Sequence, residues 1–476
     1  MIRILLLLSV IIFVFLRLLF IPYNFWGQEY EDSFIYYDNA RNFYHELINE
    51  QNIFQCFSIG LGSYDNMESY YTYGAHYSTF SYIIYLFNIV FGENPINIFI
   101  VNLLISLIIL IVIFLNESNN RIRLISIVLL SLTPFYSIYC TSGNSEIFSS
   151  LFLILTFYFN NKSFTQNNTI YFFLSLVTAC LATLTNRENL ILFPIISIII
   201  LINSKPTFTF KNLNRFFIII CLIISLVLLL EIHKTEYEYS NDIASRTFSL
   251  LYLWDNTKAF FQGAFQIKLW GITGYLMILS IILFFKNSRW KNRKNKTLAI
   301  YLIAYYLITF THYRHLNYLE TGIVYPIETI RYTTTFFPII ILFIAENIYD
   351  IRMKIPSVYL YGMASFIFIY LGIQSIQLRK EMSFDENFTR IQPAKEILKL
   401  AKEGDLIVSE FSIIERIYST PNTIITEIRD LENIKTENYN SVYILLNKEQ
   451  DQNLLKKFNL LEIKKINNMI IYKLQK

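Results

Sequence analysis

The stretch IRILLLLSVIIFVFLRLLFIPYNFWGQEYEDSFIYYDNARNF, residues 2–43, sets an apolar run directly before a cluster of acids. Ile4 to Phe20 approaches the roughly 18 apolar residues that cross a bilayer, and no small-x-small cleavage site follows it. The run therefore predicts an uncleaved membrane anchor with a cytoplasmic N terminus. Beyond it, Glu29, Glu31 and Asp32 place three acids within four residues.

The residues after the acids have helical periodicity, with one apolar and one polar side. The apolar positions are Tyr36, Ala40, Phe43, Tyr44, Leu47 and Ile48. Such a helix would lie along the membrane surface, and Asp32 or Ser33 would cap its positive end. A cap accounts for one carboxylate of the cluster and leaves the others unexplained. A capping role and a catalytic role are both open at this point.

Composition defines the class of protein. Of 476 residues, 54% are hydrophobic and 16% are charged, whereas soluble proteins have roughly a quarter charged residues. With a mean hydropathy of +0.41, the chain is predicted to be a polytopic membrane protein. Four scattered cysteines and five histidines without H-x-x-x-H spacing form neither a disulfide framework nor a zinc motif. The net charge of +4 is small, and no nucleic-acid partner is expected.

Apolar runs and basic loops alternate along the chain and predict a topology. After the first, the runs lie near 77–91, 95–115, 122–139, 147–160, 169–185, 189–203, 216–232, 267–285, 298–312, 332–346 and 356–377. Basic loops such as 286–296 should face the cytoplasm and the alternate loops the outside. Run 77–91 spans only about 22 Å, short of the roughly 30 Å core, and would invert this alternation if it crossed. Run 77–91 is therefore predicted to be a juxtamembrane or re-entrant helix. We predict an all-α fold with about eleven crossings, plus juxtamembrane helices in a first outer loop, 23–94.

The last 99 residues have a different composition, rich in Lys and Glu with short apolar segments. DLIVSEF, SVYILLN and MIIYKL resemble strands, and PAKEILKLAKEG predicts a helix closed by Gly404. The sequence thus predicts a transmembrane catalytic domain, 1–377, and a small extracytoplasmic α/β domain, 378–476.

Ionisable residues collect on the predicted outer face. They are Glu146, Arg187, Glu188, Arg314 and Arg331, with His312 and His315 beside Arg314. A snorkelling or loop residue accounts for each one singly, but polar side chains concentrated at one end of a helix bundle mark a substrate cavity. A carboxylate there can take a proton from an acceptor hydroxyl, and an arginine can bind a phosphate leaving group.

Five stretches, in order, resemble the GT-C glycosyltransferases that use polyprenyl-phosphate sugars, a group that includes arabinofuranosyl-, mannosyl- and aminoarabinose-transferases. They are EDSFIYYDNARNF, YGAHYSTFSYIIYLFNIVFGENP, TSGNSEIFSSLFLIL, LATLTNRENLILFP and IRYTTTFFPIIILFIAEN. The resemblance covers roughly 25–377, and the outer segment EGDLIVSEFSIIERIYST also fits the family's C-terminal domain. It implies a GT-C fold and an inverting transfer of a sugar from a polyprenyl-phosphate donor.

The resemblance also implies site residues. An acid of the first loop acts as base in the family, and that role falls on Glu31 or Asp32. The other motifs and the outer-face cluster suggest a substrate-binding set of Arg331, Tyr332, Arg187, Glu188, Glu146, His76 and Arg314. Glu146 stands one residue later than in the family pattern, and the Arg187 position is shifted by one. No cofactor is specified, and a divalent cation stays an open alternative.

The predicted function is a multi-pass inner-membrane glycosyltransferase that acts at the outer face. Its partners would be a polyprenyl-phosphate sugar, membrane lipid, and a glycan, lipid or protein acceptor. Two alternatives remain. A transporter or flippase of lipid-linked saccharides would be expected to show repeated halves or mid-helix charges, and neither is found in the sequence. A glycan polymerase or ligase would not need the first-loop acids.

The predicted orientation can be tested with single cysteines. Trp290→Cys lies in a basic loop and should be shielded from impermeant thiol reagents in intact cells. Asp255→Cys lies in an outer segment and should react. Labelling is compared with that of the unsubstituted protein, which carries four cysteines of its own. The opposite pattern would reverse the orientation and move the site to the cytoplasmic face.

Overall fold

The structure is a computed structural model. It describes residues 2–18, 36–37, 40–41, 79–166, 168–203, 252–311, 331–349, 369–378, 387–409, 424–428, 431, 436–447, 458–466 and 468–475. The chain packs as two compact units. The first comprises 1–20, 102–141 and 145–378, and the second comprises 21–101, 142–144 and 379–476. The domain division at residue 377 and the number of crossings stay predictions.

The described part of the chain before residue 349 consists of helices joined by short turns and connections, without strands. Its α-helices are α1 Ile2–Leu18, α2 Thr79–Phe91, α3 Asn97–Asn116, α4 Asn120–Leu132, α5 Pro134–Tyr139, α6 Glu146–Gln166, α7 Thr169–Thr185, α8 Leu192–Asn203, α9 Tyr252–Ala264, α10 Ile267–Trp270, α11 Thr273–Lys286, α12 Arg293–Phe310 and α13 Phe337–Ile348. Short 3-10 helices lie at Arg187–Ile191, Arg289–Lys291 and Thr334–Phe336. Residues 369–378 are also helical.

Helix α3 is the one described helix long and apolar enough to cross a membrane by itself. Four further apolar helices in the described ranges are shorter: Thr79–Phe91, Thr169–Thr185, Asn189–Ile199 and Thr273–Lys286. The 13 residues of α2 extend about 20 Å.

Two predicted runs are broken in the structure. Run 122–139 divides into α4 and α5 at Thr133, because Pro134 has no N–H to continue the helix and occupies the first turn of α5. Run 267–285 divides at Gly271, whose φ of +57° is unfavourable for other residues. A Cβ at Gly271 would also lie 2.7 Å from Leu371 Cδ2. Both breaks place short helical segments inside the first unit.

Helix α12 runs opposite to α6 and α13, which gives the bundle two distinct ends. Lys294, at the start of α12, binds Glu346 near the end of α13. Tyr305, near the end of α12, packs on Phe336 just before α13, with ring centroids 5.7 Å apart. We call the end with the N termini of α6 and α13 the first end, and the opposite end the second end.

Aromatic side chains fill the core at the first end. Phe135 of α5 stacks on Trp270 of α10, with centroids 5.3 Å apart, and meets Phe337 edge to face at 4.8 Å. Phe260 of α9 contacts Trp270 at 5.2 Å and Phe310 of α12 at 5.0 Å. These residues are all at least 97% buried. Such pairs add to the free energy of burial and hold the helix ends together.

In the second unit, the described part of the first loop packs against α2. Tyr36 and Ala40 are helical and buried, as the periodicity predicts, and Tyr36 meets Phe80 edge to face at 5.4 Å. Arg41 is also buried and forms an ion pair with Glu93, Nε to Oε1 2.7 Å. The Asn97 amide donates to the Gly92 carbonyl at 2.7 Å and closes the end of α2. The described residues within 36–41 of the first loop and the segment from α2 to Glu93 therefore stabilise each other.

The C-terminal part of the second unit contains a helix and a sheet. Its elements are α14 Asn387–Leu400, β1 Leu406–Ser409, β2 Ile424–Glu427, β3 Val442–Asn447, β4 Leu460–Ile466 and β5 Met469–Leu474. The described strands form a five-stranded sheet in the order β2-β1-β3-β5-β4, parallel between β1 and its two neighbours and antiparallel elsewhere. The central strands are apolar because both of their faces are buried. The edge strand β4 carries exposed charges, which discourage pairing with other chains.

The helix before β1 begins and ends earlier than predicted. It starts at Asn387, contains Pro393 and ends at Leu400, four residues before Gly404. Gly404 lies in the turn to β1 with a φ of +85°, and its carbonyl accepts from the backbone N–H of Asn440 at 2.9 Å. The glycine is required by this turn and does not close the helix itself.

Candidate functional site

A buried ion pair joins α6 to the segment that precedes α13. Arg331 Nε donates to Glu146 Oε1 at 2.5 Å, and the side chains are 3% and 5% exposed. Glu146 is the first residue of α6, where a negative charge is favoured by the helix dipole. Arg331 lies in the helical turn before the 3-10 helix Thr334–Phe336, and its guanidinium carbon is 5.6 Å from the Tyr332 ring centroid. The two residues are 185 positions apart in sequence.

This pair rules out a snorkelling role for Arg331. A snorkelling arginine places its charged group in water, whereas this one is held in the interior by a carboxylate. Removing either charge would leave the other buried and uncompensated, at a cost of about 3–5 kcal/mol. The arrangement therefore fixes the position of a guanidinium at the first end of the bundle.

A neutral hydrogen-bond network lies one turn further along α6. The Asn189 amide donates to Ser149 Oγ at 2.6 Å and to the Ala182 carbonyl at 2.8 Å. The Tyr305 hydroxyl donates to Asn189 Oδ1 at 2.6 Å. Asn189 and Ser149 are fully buried, and Tyr305 is 1% exposed. The network joins α6, α7, the 3-10 helix Arg187–Ile191 and α12.

The ion pair and the network belong to one polar cluster. Glu146 and Ser149 are three residues apart on α6, so they share a face of the helix. Tyr305 packs on Phe336, which follows Arg331 in the next turn. The cluster thus combines a fixed cation, a carboxylate and neutral donors within an aromatic environment. This combination suits an anionic group with an attached apolar chain.

The structure brings together three of the predicted site residues, Glu146, Arg331 and Tyr332. Glu31, Asp32, His76 and Arg314 lie outside the described residues. For Arg187 and Glu188 the backbone alone is described, and it forms the start of a 3-10 helix.

Sequence reasoning missed Asn189, Ser149 and Tyr305. Asn189 stands next to the predicted Glu188, and Ser149 stands one turn after Glu146. A spacing of three from a predicted acid was the available signal for Ser149. Nothing in the sequence pattern singles out Tyr305, one of 35 tyrosines. Within the described ranges, no group of three or more His, Cys, Asp or Glu residues is placed to hold a metal ion.

Comparison with known proteins agrees with this fold. The family described as "Dolichyl-phosphate-mannose-protein mannosyltransferase" matches residues 78–233, about a third of the chain. No curated protein matches the chain in sequence. The crystal structure of ArnT from Cupriavidus metallidurans bound to undecaprenyl phosphate matches with a TM-score of 0.64 and 9% identity, over 98% of this chain and 97% of that chain. The apo state of the same protein gives 0.62 and 9%, over 99% and 97%.

A second protein of known structure has a similar fold. The archaeal oligosaccharyltransferase AglB from Archaeoglobus fulgidus, in complex with an inhibitory peptide and a dolichol-phosphate, matches with a TM-score of 0.52 and 11% identity. The match covers 94% of this chain and 70% of that chain. The chain therefore has the GT-C fold, and the resemblance to polyprenyl-phosphate-dependent GT-C glycosyltransferases that its five motifs indicate is confirmed.

The interaction between Glu146 and Arg331 can be measured with a double-mutant cycle. Glu146→Ala and Arg331→Ala should each lower the free energy of unfolding by about 3–5 kcal/mol, because each leaves a buried charge unpaired. The double variant should lose clearly less than the sum, because no unpaired charge remains. Thermal and denaturant unfolding of the purified protein in detergent would measure the three values.

Arg121→Ala is the matched control, since Arg121 is exposed and should change stability by less than about 0.5 kcal/mol. Additive losses in the cycle would show that the two charges do not stabilise one another.

Proposed function

We propose that this chain is an integral-membrane inverting glycosyltransferase that transfers a sugar from a polyprenyl-phosphate donor to an acceptor hydroxyl or amide. The observation that carries the proposal is the buried Arg331–Glu146 pair at the first end of a GT-C bundle. The pair holds a guanidinium rigidly at the end of the bundle that carries the predicted outer-face cluster. Solved structures with this fold contain undecaprenyl phosphate and dolichol-phosphate, which supports a lipid-phosphate donor here.

Arg331 is proposed to bind the phosphate of the donor. A guanidinium has five N–H donors in a planar fork that matches the geometry of a phosphate, and Glu146 fixes the orientation of this one through Nε. Glu146 would then orient the fork, and the Asn189–Ser149–Tyr305 network would fix α6 and α12 around it. Positive charge at this position would stabilise the phosphate as it leaves.

Glu31 or Asp32 is proposed as the general base. The acceptor oxygen or nitrogen attacks the anomeric carbon, the carbon–oxygen bond to the phosphate breaks, and the acceptor proton passes to the carboxylate. The lipid phosphate leaves with the electron pair of the broken bond. Attack opposite to the leaving group inverts the anomeric configuration. The buried helical residues Tyr36, Ala40 and Arg41 anchor the chain shortly after these acids.

The acceptor is proposed to be a cell-envelope glycan, a lipid or a protein at the outer face. The archaeal oligosaccharyltransferase was solved with an inhibitory peptide, which supports a protein acceptor as one of the three classes. The α14–β5 domain is proposed to bind the acceptor or to stabilise the enzyme. Of its described acids, Glu396 is paired with Lys399 and Lys464, which lower its pKa to about 2. That carboxylate is unsuited to act as a base near neutral pH.

The direct test is a transfer assay in membranes with a panel of radiolabelled polyprenyl-phosphate sugars. Label should pass from one donor to the acceptor fraction, and the lipid phosphate should accumulate. A transporter of lipid-linked saccharides would move label across the membrane without cleaving the sugar–phosphate bond. Intact donor after prolonged incubation with every sugar, together with transbilayer movement, would favour the transporter.

The proposed base predicts the effect of amide substitutions in the first loop. Glu31→Gln or Asp32→Asn keeps the side-chain shape and removes the proton acceptor, and a positioned base contributes about 10²–10⁴ in rate. One of the two variants should therefore lose nearly all transfer, with expression and melting temperature unchanged. A helix cap would behave differently, because Asp→Asn at a cap is nearly neutral.

Asp38→Asn is the matched control, because Asp38 is predicted to lie on the polar side of the same helix. Full activity of both amide variants would show that neither acid is the general base and would favour a helix-capping role for the acid cluster.

The proposed phosphate contact predicts a graded response at Arg331. Arg331→Lys keeps the charge but lacks the planar fork, and it should weaken donor binding about ten- to a hundredfold. Donor affinity and turnover are measured separately, because a merely structural arginine would alter the melting temperature and leave the donor affinity of the folded fraction unchanged. Arg121→Lys is the control and should match the unsubstituted enzyme.

A further inference from the structure

A cavity of about 700 Å³ opens at the second end of the bundle, away from the candidate site. Its walls come from the connection between α3 and α4, the last turns of α6 and the first turn of α12. Four basic residues line it: Arg123, Lys162, Arg293 and Lys294. The sequence predicts this end to face the cytoplasm, because it carries the basic loops.

One of the four cations is neutralised by carboxylates. Lys294 Nζ binds Glu117 Oε1 at 2.5 Å and also binds Glu346. Glu117 is 2% exposed and accepts from the Asn116 amide at 2.7 Å. Burial raises the pKa of Glu117, although the attraction of Lys294 opposes this. The ion pairs of Lys294 therefore hold the start of α12 against α13 and against the α3–α4 connection.

The other three cations are paired with no carboxylate among the residues that the structure describes. The Arg123 guanidinium lies 4.2 Å from the Phe114 ring centroid and donates to the Phe114 carbonyl and Asn120. Arg293 lies over the Phe164 ring at 4.1 Å, and its Nη2 is buried without a hydrogen-bond partner. These ring contacts orient the guanidinium groups without neutralising their charge.

Lys162 completes the set from α6. Its ammonium lies 5.7 Å from the Tyr158 ring centroid, and Asn161 beside it donates to Asn116 at 3.4 Å. The cavity wall thus contains three cations that form no ion pair within the described residues, together with amide groups from different segments of the chain, while its carboxylate Glu117 is paired with Lys294. The positive-inside rule explains exposed basic residues such as Arg121 and Lys291. It does not explain a cavity whose wall contains a buried guanidinium N–H that lacks an acceptor.

We propose that this cavity binds a phosphate group, which Arg123, Lys162 and Arg293 contact together. Arginine forks match phosphate geometry, and lysine adds a point charge. Two sources have this chemistry: the headgroup of an anionic phospholipid in the adjoining leaflet, and a soluble phosphate from the cytoplasm. The proposal concerns a site distinct from the donor site at the first end, so the two can be tested separately.

The experiment uses the full chain in nanodiscs and two probes. In the first arm, phosphatidylcholine nanodiscs are compared with nanodiscs that also contain phosphatidylglycerol, and native mass spectrometry counts the retained phosphatidylglycerol. In the second arm, inorganic phosphate is titrated against phosphatidylcholine nanodiscs, with chloride at equal ionic strength as the reference, and the melting temperature is followed. Arg123→Gln, Lys162→Gln and Arg293→Gln are compared with Arg121→Gln and Lys291→Gln, which remove exposed cations at the same end.

Wild type and both control variants should retain phosphatidylglycerol or be stabilised by phosphate. The arm that responds identifies the source. Each cavity variant should weaken binding about ten- to a hundredfold, because a charge-assisted hydrogen bond is lost. Lys162→Gln is the variant least expected to misfold, because the Lys162 ammonium contacts the Tyr158 ring and forms no ion pair within the described residues. Equal binding by cavity variants and controls, or no response in either arm, would overturn the proposal.

Discussion

The burial of the Arg331 charge is the constraint on which the first end of the bundle depends. A guanidinium that is 3% exposed is stable only with a carboxylate at hydrogen-bond distance, and Glu146 supplies it at 2.5 Å. This requires α6 to begin at residue 146 and the turn before α13 to approach that point. Asn189 then holds α6 against α7 and α12 through Ser149 and Tyr305. Both the charge pair and the neutral network therefore restrict how these helices can move.

Hydrophobic patterning predicted where helices occur and could not predict where they break. Run 169–185 corresponds to α7 residue for residue, because Asn168 caps its start. Runs 122–139 and 267–285 are apolar throughout, yet each contains an interruption. The interruption at Thr133 was predictable from Pro134, because a proline cannot continue the hydrogen bonding of a helix. The one at Gly271 depends on the neighbouring Leu371 side chain, a contact between residues 100 positions apart that periodicity does not contain.

The sequence predicted individual residues of the candidate site but could not predict which of them contact one another. Arg331 and Glu146 were identified because charged residues are rare in an apolar sequence and lie beside apolar runs. Their partnership spans 185 positions and appears only in the folded chain. Glu146 stands one residue later than the family pattern has its acid, and it still contacts Arg331. Glu146 is the first residue of its helix and directly follows a turn, so the offset does not rotate it away around the helix. Asn189 and Tyr305 are neutral and common, so they carried no comparable signal.

The direction of the helices has an electrostatic consequence of its own. Among the described helices of the first unit, α6 and α13 begin at the first end, whereas α7 and α12 end there. Each terminus carries roughly half an elementary charge, positive where a helix begins and negative where it ends, so these contributions offset one another over the end as a whole. What remains is local, because the field of a terminus fades within one turn, and at the start of α6 it favours the negative charge of Glu146. The charge that a solute would meet at this end is therefore set by a few side chains, and a single substitution can change it without altering the path of the backbone.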